Sequence, residues 1–98
     1  MVYLIRTVRV KGDWEKMESV SRRLLDFWKK RPEVRMAEAW DNVAGRQDEF
    51  RFVVKFDSLA DEEKFAVGLW EDKSYEGVMK EFVSVFEIGT DELFRSIG

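Results

Sequence analysis

Apolar and polar positions along this chain change their spacing five times. From Val2 to Val10, Val2, Leu4, Val8 and Val10 alternate with Tyr3, Ile5, Thr7 and Arg9. That is the two-residue period of a strand, with apolar members on both of its faces. Arg6 is the exception, a cation within the first set. Gly12 ends the strand, and Asp13 is placed to accept free backbone N–H groups at a helix start. Met17, Val20, Leu24, Phe27 and Trp28 then recur at three and four, so the spacing predicts a helix from Asp13 to Lys30. Lys29, Lys30 and Arg31 suit the negative end of that helix, and Pro32 stops it. The basic triplet therefore reads as a charged terminus rather than an anion site.

Two further alternating stretches follow, Val34 to Val43 and Glu49 to Asp57. The turn through Ala44, Gly45, Arg46 and Gln47 joins them into a hairpin. Pairing Val43 with Asp48 puts Ala37 and Ala39 on one face with Phe52 and Val54, small against large. Met36, Glu38 and Trp40 then share the other face with Arg51, Val53 and Lys55, and Glu38 falls opposite Val53. A one-residue slip would exchange the two faces.

From Ser58 the period is helical again, with Asp61 completing a weak capping box and Leu59, Phe65, Ala66, Leu69 and Trp70 on the apolar side. Asp72, Lys73 and Ser74 divide this helix, and Ser74 is read as the cap of a second piece carrying Tyr75, Val78, Met79 and Phe82. A short strand, Val85 to Ile88, ends at Gly89; Thr90 then caps an expected turn of helix from Asp91 to Ser96. The resulting order, β-α-β-β-α-β, predicts one α+β domain over residues 1–98, ferredoxin-like, with a four-stranded antiparallel sheet and helices on one face.

Composition adds a surplus. Eight Phe and four Trp are more than one thin layer between helices and sheet needs, so part of the aromatic content is expected to face a partner or a ligand. A formal charge of −3 argues against non-specific binding to nucleic acid or anionic membranes. No apolar run is long enough to span a bilayer, no leader pattern is visible, and the expected location is the cytoplasm. The chain has no Cys and no His, which removes thiol chemistry and the residue most used as base or metal ligand near neutral pH. No metal site and no cofactor are expected. Few amides, no Cys and many Lys, Arg and Glu match a hyperthermophile's composition.

The order and the divided second helix resemble the dimeric α/β-barrel superfamily, and within it NIPSNAP-like and antibiotic-biosynthesis-monooxygenase-like proteins. Leu4-Ile5-Arg6-Thr7 is similar to the NIPSNAP-like first strand, and Phe56-Asp57-Ser58-Leu59-Ala60-Asp61 to its strand-to-helix junction. Asp72-Lys73-Ser74-Tyr75 stands where an Asp-Pro-x-Trp segment usually opens the short helix, with Lys73 replacing the proline and Tyr75 the tryptophan. The histidines that several relatives use for catalysis or haem have no counterpart. The resemblance implies a homodimer closed through the helix-free sheet face, and ligands, where bound, in a cavity between sheet and helices.

The candidate site residues are Arg6, Glu38, Trp40, Asn42, Arg51 and Tyr75. In the functional reading Arg6 or Arg51 orients an acidic or enolate-like group against Trp40, with Asn42 donating a hydrogen bond. That fits a small apolar or acidic ligand and cofactor-independent oxidation or isomerisation. In the structural reading the same charges pair with one another and fix strand register in a non-catalytic dimer. The loop Val43 to Asp48 and the segment Asp72 to Tyr75 are the expected cavity rims. Tyr3 and Tyr75 read as amphipathic edge residues, and Trp14, Trp28 and Trp70 as core or interface. RNA-recognition domains share the strand order, and Phe50 and Phe52 have the spacing of their third-strand aromatics. Asp48 and Glu49 stand where those domains carry a basic residue and glycine, and they repel phosphate, so nucleic acid is not an expected partner.

Overall fold

Each change of period along the chain becomes a change of element. The computed structural model describes residues 1–98. In order they form β1 (Val2–Val10), α1 (Trp14–Lys29), β2 (Met36–Asp41), β3 (Glu49–Phe56), α2 (Leu59–Glu71), α3 (Lys73–Val85) and β4 (Phe86–Arg95). The strands make one antiparallel sheet in the order β2-β3-β1-β4, with the helices on one face. This is a ferredoxin-like α+β fold.

Local chemistry sets the boundaries. Asp13 accepts from the Glu15 N–H at 2.9 Å and starts α1. The Ser58 hydroxyl accepts from the Asp61 N–H at 3.2 Å and starts α2. The cap of α3 is Asp72, two residues earlier than the Ser74 expected from sequence; its carboxylate accepts from both the N–H and the hydroxyl of Ser74, at 3.0 and 2.6 Å. An ionised carboxylate is the stronger acceptor of the two, so it wins the cap. The hairpin between β2 and β3 turns through Gly45, whose φ of 94° lies where a side chain would be strained. The hairpin register is the one read from the sequence, with Ala37 opposite Val54, Glu38 opposite Val53 and Ala39 opposite Phe52.

The C-terminus differs from the sequence reading. The segment expected to be a helical turn is strand: β4 runs through Asp91 and Leu93 to Arg95. Gly89 is an extra residue in its pairing with β1, because Thr7 faces Thr90 whereas Val8 faces Ile88. This bulge hides the alternation on either side of it. Backbone pairing along all of β1 outweighs the helix preference of a short polar segment with a good cap.

The core lies between the helices and the inward face of the sheet. Phe52 is fully buried at its centre, with the rings of Phe82, Phe86 and Trp28 at centroid distances of 5.2, 5.6 and 6.4 Å. Phe56 and Phe65 continue this layer beneath α2, 5.0 Å apart. Arg23 on α1 pairs with Glu81 on α3 across the outer surface. On the opposite face of the sheet no helix lies, yet Val53 there is as buried as Phe52. Its cover comes from neighbours on the sheet itself. Of the tryptophans, Trp28 is core, while Trp14 and Trp70 are exposed by 53% and 90%.

Candidate functional site

The six candidate residues separate into two groups on opposite faces of the sheet. Arg6 faces the helices, as Val2 and Val8 do, and Tyr75 meets it from α3. Glu38, Trp40 and Arg51 lie on the helix-free face, with Asn42 just beyond β2. A single ligand cannot touch Arg6 and Trp40 from one side of the sheet, so the pairing of those two in one site, expected from sequence, is not what the fold builds.

Arg6 is the one charged residue buried as a whole. Its guanidinium forms two parallel hydrogen bonds to the Asp91 carboxylate, Nε to Oδ1 at 2.9 Å and Nη2 to Oδ2 at 3.0 Å. Nη1 points to the Met79 sulfur at 3.6 Å. The cation also lies 5.4 Å from the Trp28 ring centroid and 5.9 Å from that of Phe82. Burial alone would lower its pKa, but the hydrogen bonds and charge of Asp91, with a smaller effect of Tyr75, hold it above the ordinary arginine value. The group is therefore permanently charged. The side chain of Arg6 is 11% exposed and that of Asp91 42%, because β4 is an edge strand that the helices do not cover. Trp28 Nε1 donates to the Tyr75 hydroxyl at 3.4 Å, and Tyr75 stacks on Phe27 with centroids 5.4 Å apart. Asp91, Trp28, Met79 and Phe82 complete a cluster of which sequence reasoning had only Arg6 and Tyr75. The missing signal was a demand: a buried arginine needs a carboxylate on an adjoining strand.

On the helix-free face the charges satisfy different partners from those expected. Glu38 accepts from Trp40 Nε1 at 3.1 Å. Arg51 pairs with Glu49 at 3.0 Å and donates to the Asn42 side-chain oxygen at 3.1 Å. Asn42 in turn donates to the Arg46 carbonyl at 2.6 Å, so it closes the hairpin loop.

The principal groove, of about 570 Å³, lies between α1 and the ends of β2 and β3. Met17, Leu25, Ala39 and Phe50 give it an apolar floor, and Trp40 and Asp41 stand on its rim. Of the six candidates only Trp40 borders it; neither Arg6 nor Tyr75 lines any of the three main grooves. The segment Asp72 to Tyr75 and the loop Val43 to Asp48, expected as rims, border none of these three either. No group of three carboxylates stands close enough to hold a metal ion, and no helix is long and apolar enough to cross a membrane.

No protein-family model matches the sequence, and no curated protein does. Solved structures do match. SnoaB, a cofactor-independent oxygenase from Streptomyces nogalater, superposes with a TM-score of 0.81 at 11% identity, over 99% of this chain and 93% of that one. A NIPSNAP domain protein from Burkholderia xenovorans gives 0.79 at 15% identity, over 98% and 94%. An antibiotic biosynthesis monooxygenase gives 0.71 at 14% identity over the whole of both chains. At such identities the likeness is one of fold. The chain has the ferredoxin-like fold of NIPSNAP-like and antibiotic-biosynthesis-monooxygenase-like proteins, as its strand order and divided helix led us to expect.

Proposed function

We propose that this chain works as a homodimer closed through its helix-free sheet face, and that it binds a small, mostly apolar molecule in the groove between α1 and the β2–β3 hairpin. The observation that carries the ligand reading is the groove itself. Its volume of about 570 Å³ suits a small molecule, and its apolar floor is joined by Glu18, Ser21, Arg22 and Asp41 as polar lining. For the dimer, the support is the row of half-covered apolar and aromatic side chains on a face without helices: Tyr3, Ile5, Met36, Trp40 and Phe94. Trp40 belongs to both, since it stands on that face and borders the groove.

Sedimentation at micromolar concentration is expected to show a dimer. Met36→Lys, which puts a charge on the open face, is expected to raise the dissociation constant at least tenfold while helix content stays unchanged. A variant that remains fully dimeric would contradict the face assignment. For the ligand, 2-naphthol serves as probe, with intrinsic tryptophan fluorescence as readout. Ala39→Leu fills the groove floor from an exposed position and is expected to weaken probe binding about tenfold. Equal binding by wild type and variant would remove the groove from consideration.

A second reading has cofactor-independent oxidation or isomerisation at Arg6. It is favoured by a permanently charged guanidinium among aromatic rings, with a phenol, Tyr75, beside it. A substrate oxyanion would take the place of Asp91, which sits on the half-open edge strand. The complete two-point pairing of Arg6 with Asp91 favours instead a structural role for that ion pair, as in a non-catalytic assembly subunit.

A further inference from the structure

The strand registers arrange the helix-free face as a grid of rows. One row reads Met36, Lys55, Tyr3, Phe94 across β2, β3, β1 and β4. The next reads Glu38, Val53, Ile5, Glu92, and a third Trp40, Arg51, Thr7, Thr90. Beyond them Glu49, Arg9 and Glu87 stand side by side, two carboxylates flanking one guanidinium.

Four charges on this grid form no ion pair in their own chain, Glu38, Lys55, Glu87 and Glu92, and of these Glu87 has Arg9 directly beside it. Glu92 lies on the edge strand β4, opposite Ile5 and flanked on β1 by Tyr3 and Thr7; its own strand offers Thr90 and Phe94 on that face. No cation is adjacent to it. Lys55 sits between Met36 and Tyr3, forms no ion pair, and rests its ammonium 5.9 Å from the Tyr3 ring. Glu38 differs, since Arg51 and Lys55 are its diagonal neighbours and the Trp40 indole already donates to it. Covering this face by a second apolar surface would bury Glu92 alone, which is costly for a carboxylate. A second copy of the same surface brings the cation that Glu92 lacks, and two-fold symmetry makes the match twice.

We propose that in the homodimer Glu92 of each protomer pairs with Lys55 of the other, so that this reciprocal contact selects a second copy of the chain as the occupant of the face. This inference rests on the homodimer reading above and adds the partner chemistry to it.

The test is a mixing experiment by sedimentation and native mass spectrometry. Glu92→Lys alone and Lys55→Glu alone are each expected to raise the homodimer dissociation constant tenfold or more, because each places like charges together at two symmetric contacts. Mixed in equal amounts, the two variants are expected to form a heterodimer with an affinity within about threefold of wild type, since both contacts are then opposite in sign. Far-ultraviolet circular dichroism of the separate variants checks that each is folded, and Glu92→Gln, which only removes charge, provides a milder version of the same loss. If the mixture associates no better than the single variants, or if charge reversal leaves the homodimer intact, the pairing is wrong while the dimer stands. If wild type itself sediments as a monomer, the homodimer reading falls and the pairing with it.

Discussion

Asp91→Ala is expected to lower folding stability by about 3 kcal/mol, and by more than Arg6→Met does, although Asp91 is much the more exposed partner. The asymmetry follows from what each change leaves behind. Without Asp91, a guanidinium that cannot lose its proton stays between the Trp28 and Phe82 rings, with the Met79 thioether and the Tyr75 phenol as neutral polar neighbours and no counter-ion. Without Arg6, a half-exposed carboxylate returns to water, and methionine fills much the same apolar slot, so the loss is expected to be only about 1 kcal/mol. The double variant is expected to resemble Arg6→Met. Urea denaturation at one fixed protein concentration measures all three, the concentration being held because association contributes to apparent stability. A loss below about 1 kcal/mol for Asp91→Ala would reduce this contact to an ordinary surface ion pair.

Phe52→Ala carries the largest expected effect, about 4 kcal/mol. Phe52 has no exposed surface, and three aromatic rings meet it from α1, α3 and β4, so no single neighbour can relax into the space it leaves. Its sequence neighbour Val53, equally buried but on the other face, provides the comparison. Val53→Ala is expected to cost about 1 kcal/mol, because its cover consists of sheet neighbours that can settle inward. Thermal denaturation of both variants decides the matter. Similar losses would mean that the helix side is not where the stability resides.

Much of this architecture was legible because its periods are long and unbroken. The hairpin register could be placed to the residue, because alternation from Val34 to Val43 and from Glu49 to Asp57 is clean and glycine marks the turn, although β2 itself is two residues shorter at each end. The division between α2 and α3 was visible as a polar interruption at Asp72, though which side chain caps the second piece depended on acceptor strength rather than pattern. The candidate site was less legible. Whether Arg6 faced the helices could not be read from a strand with apolar residues on both sides, and its partner Asp91 lay beyond a bulge that masks the period. The groove was not legible at all, since Met17, Leu25, Ala39 and Phe50 come from three elements that only the tertiary fold brings together.

Gly89 has an effect out of proportion to its size. Continuing the Val8–Ile88 alignment without the bulge, with Gly89 set against Thr7, would place Thr90 against Arg6 and turn Asp91 outward beside Ile5. The parity of every later side chain would invert: the acid that neutralises the interior would be stranded outdoors, and the interior cation would lose its mate. The kink at Gly89, and not the identity of either charged residue, therefore delivers the neutralising acid to the inner side; shortening the chain by that glycine would keep the ion pair, whereas straightening the strand around it would break it.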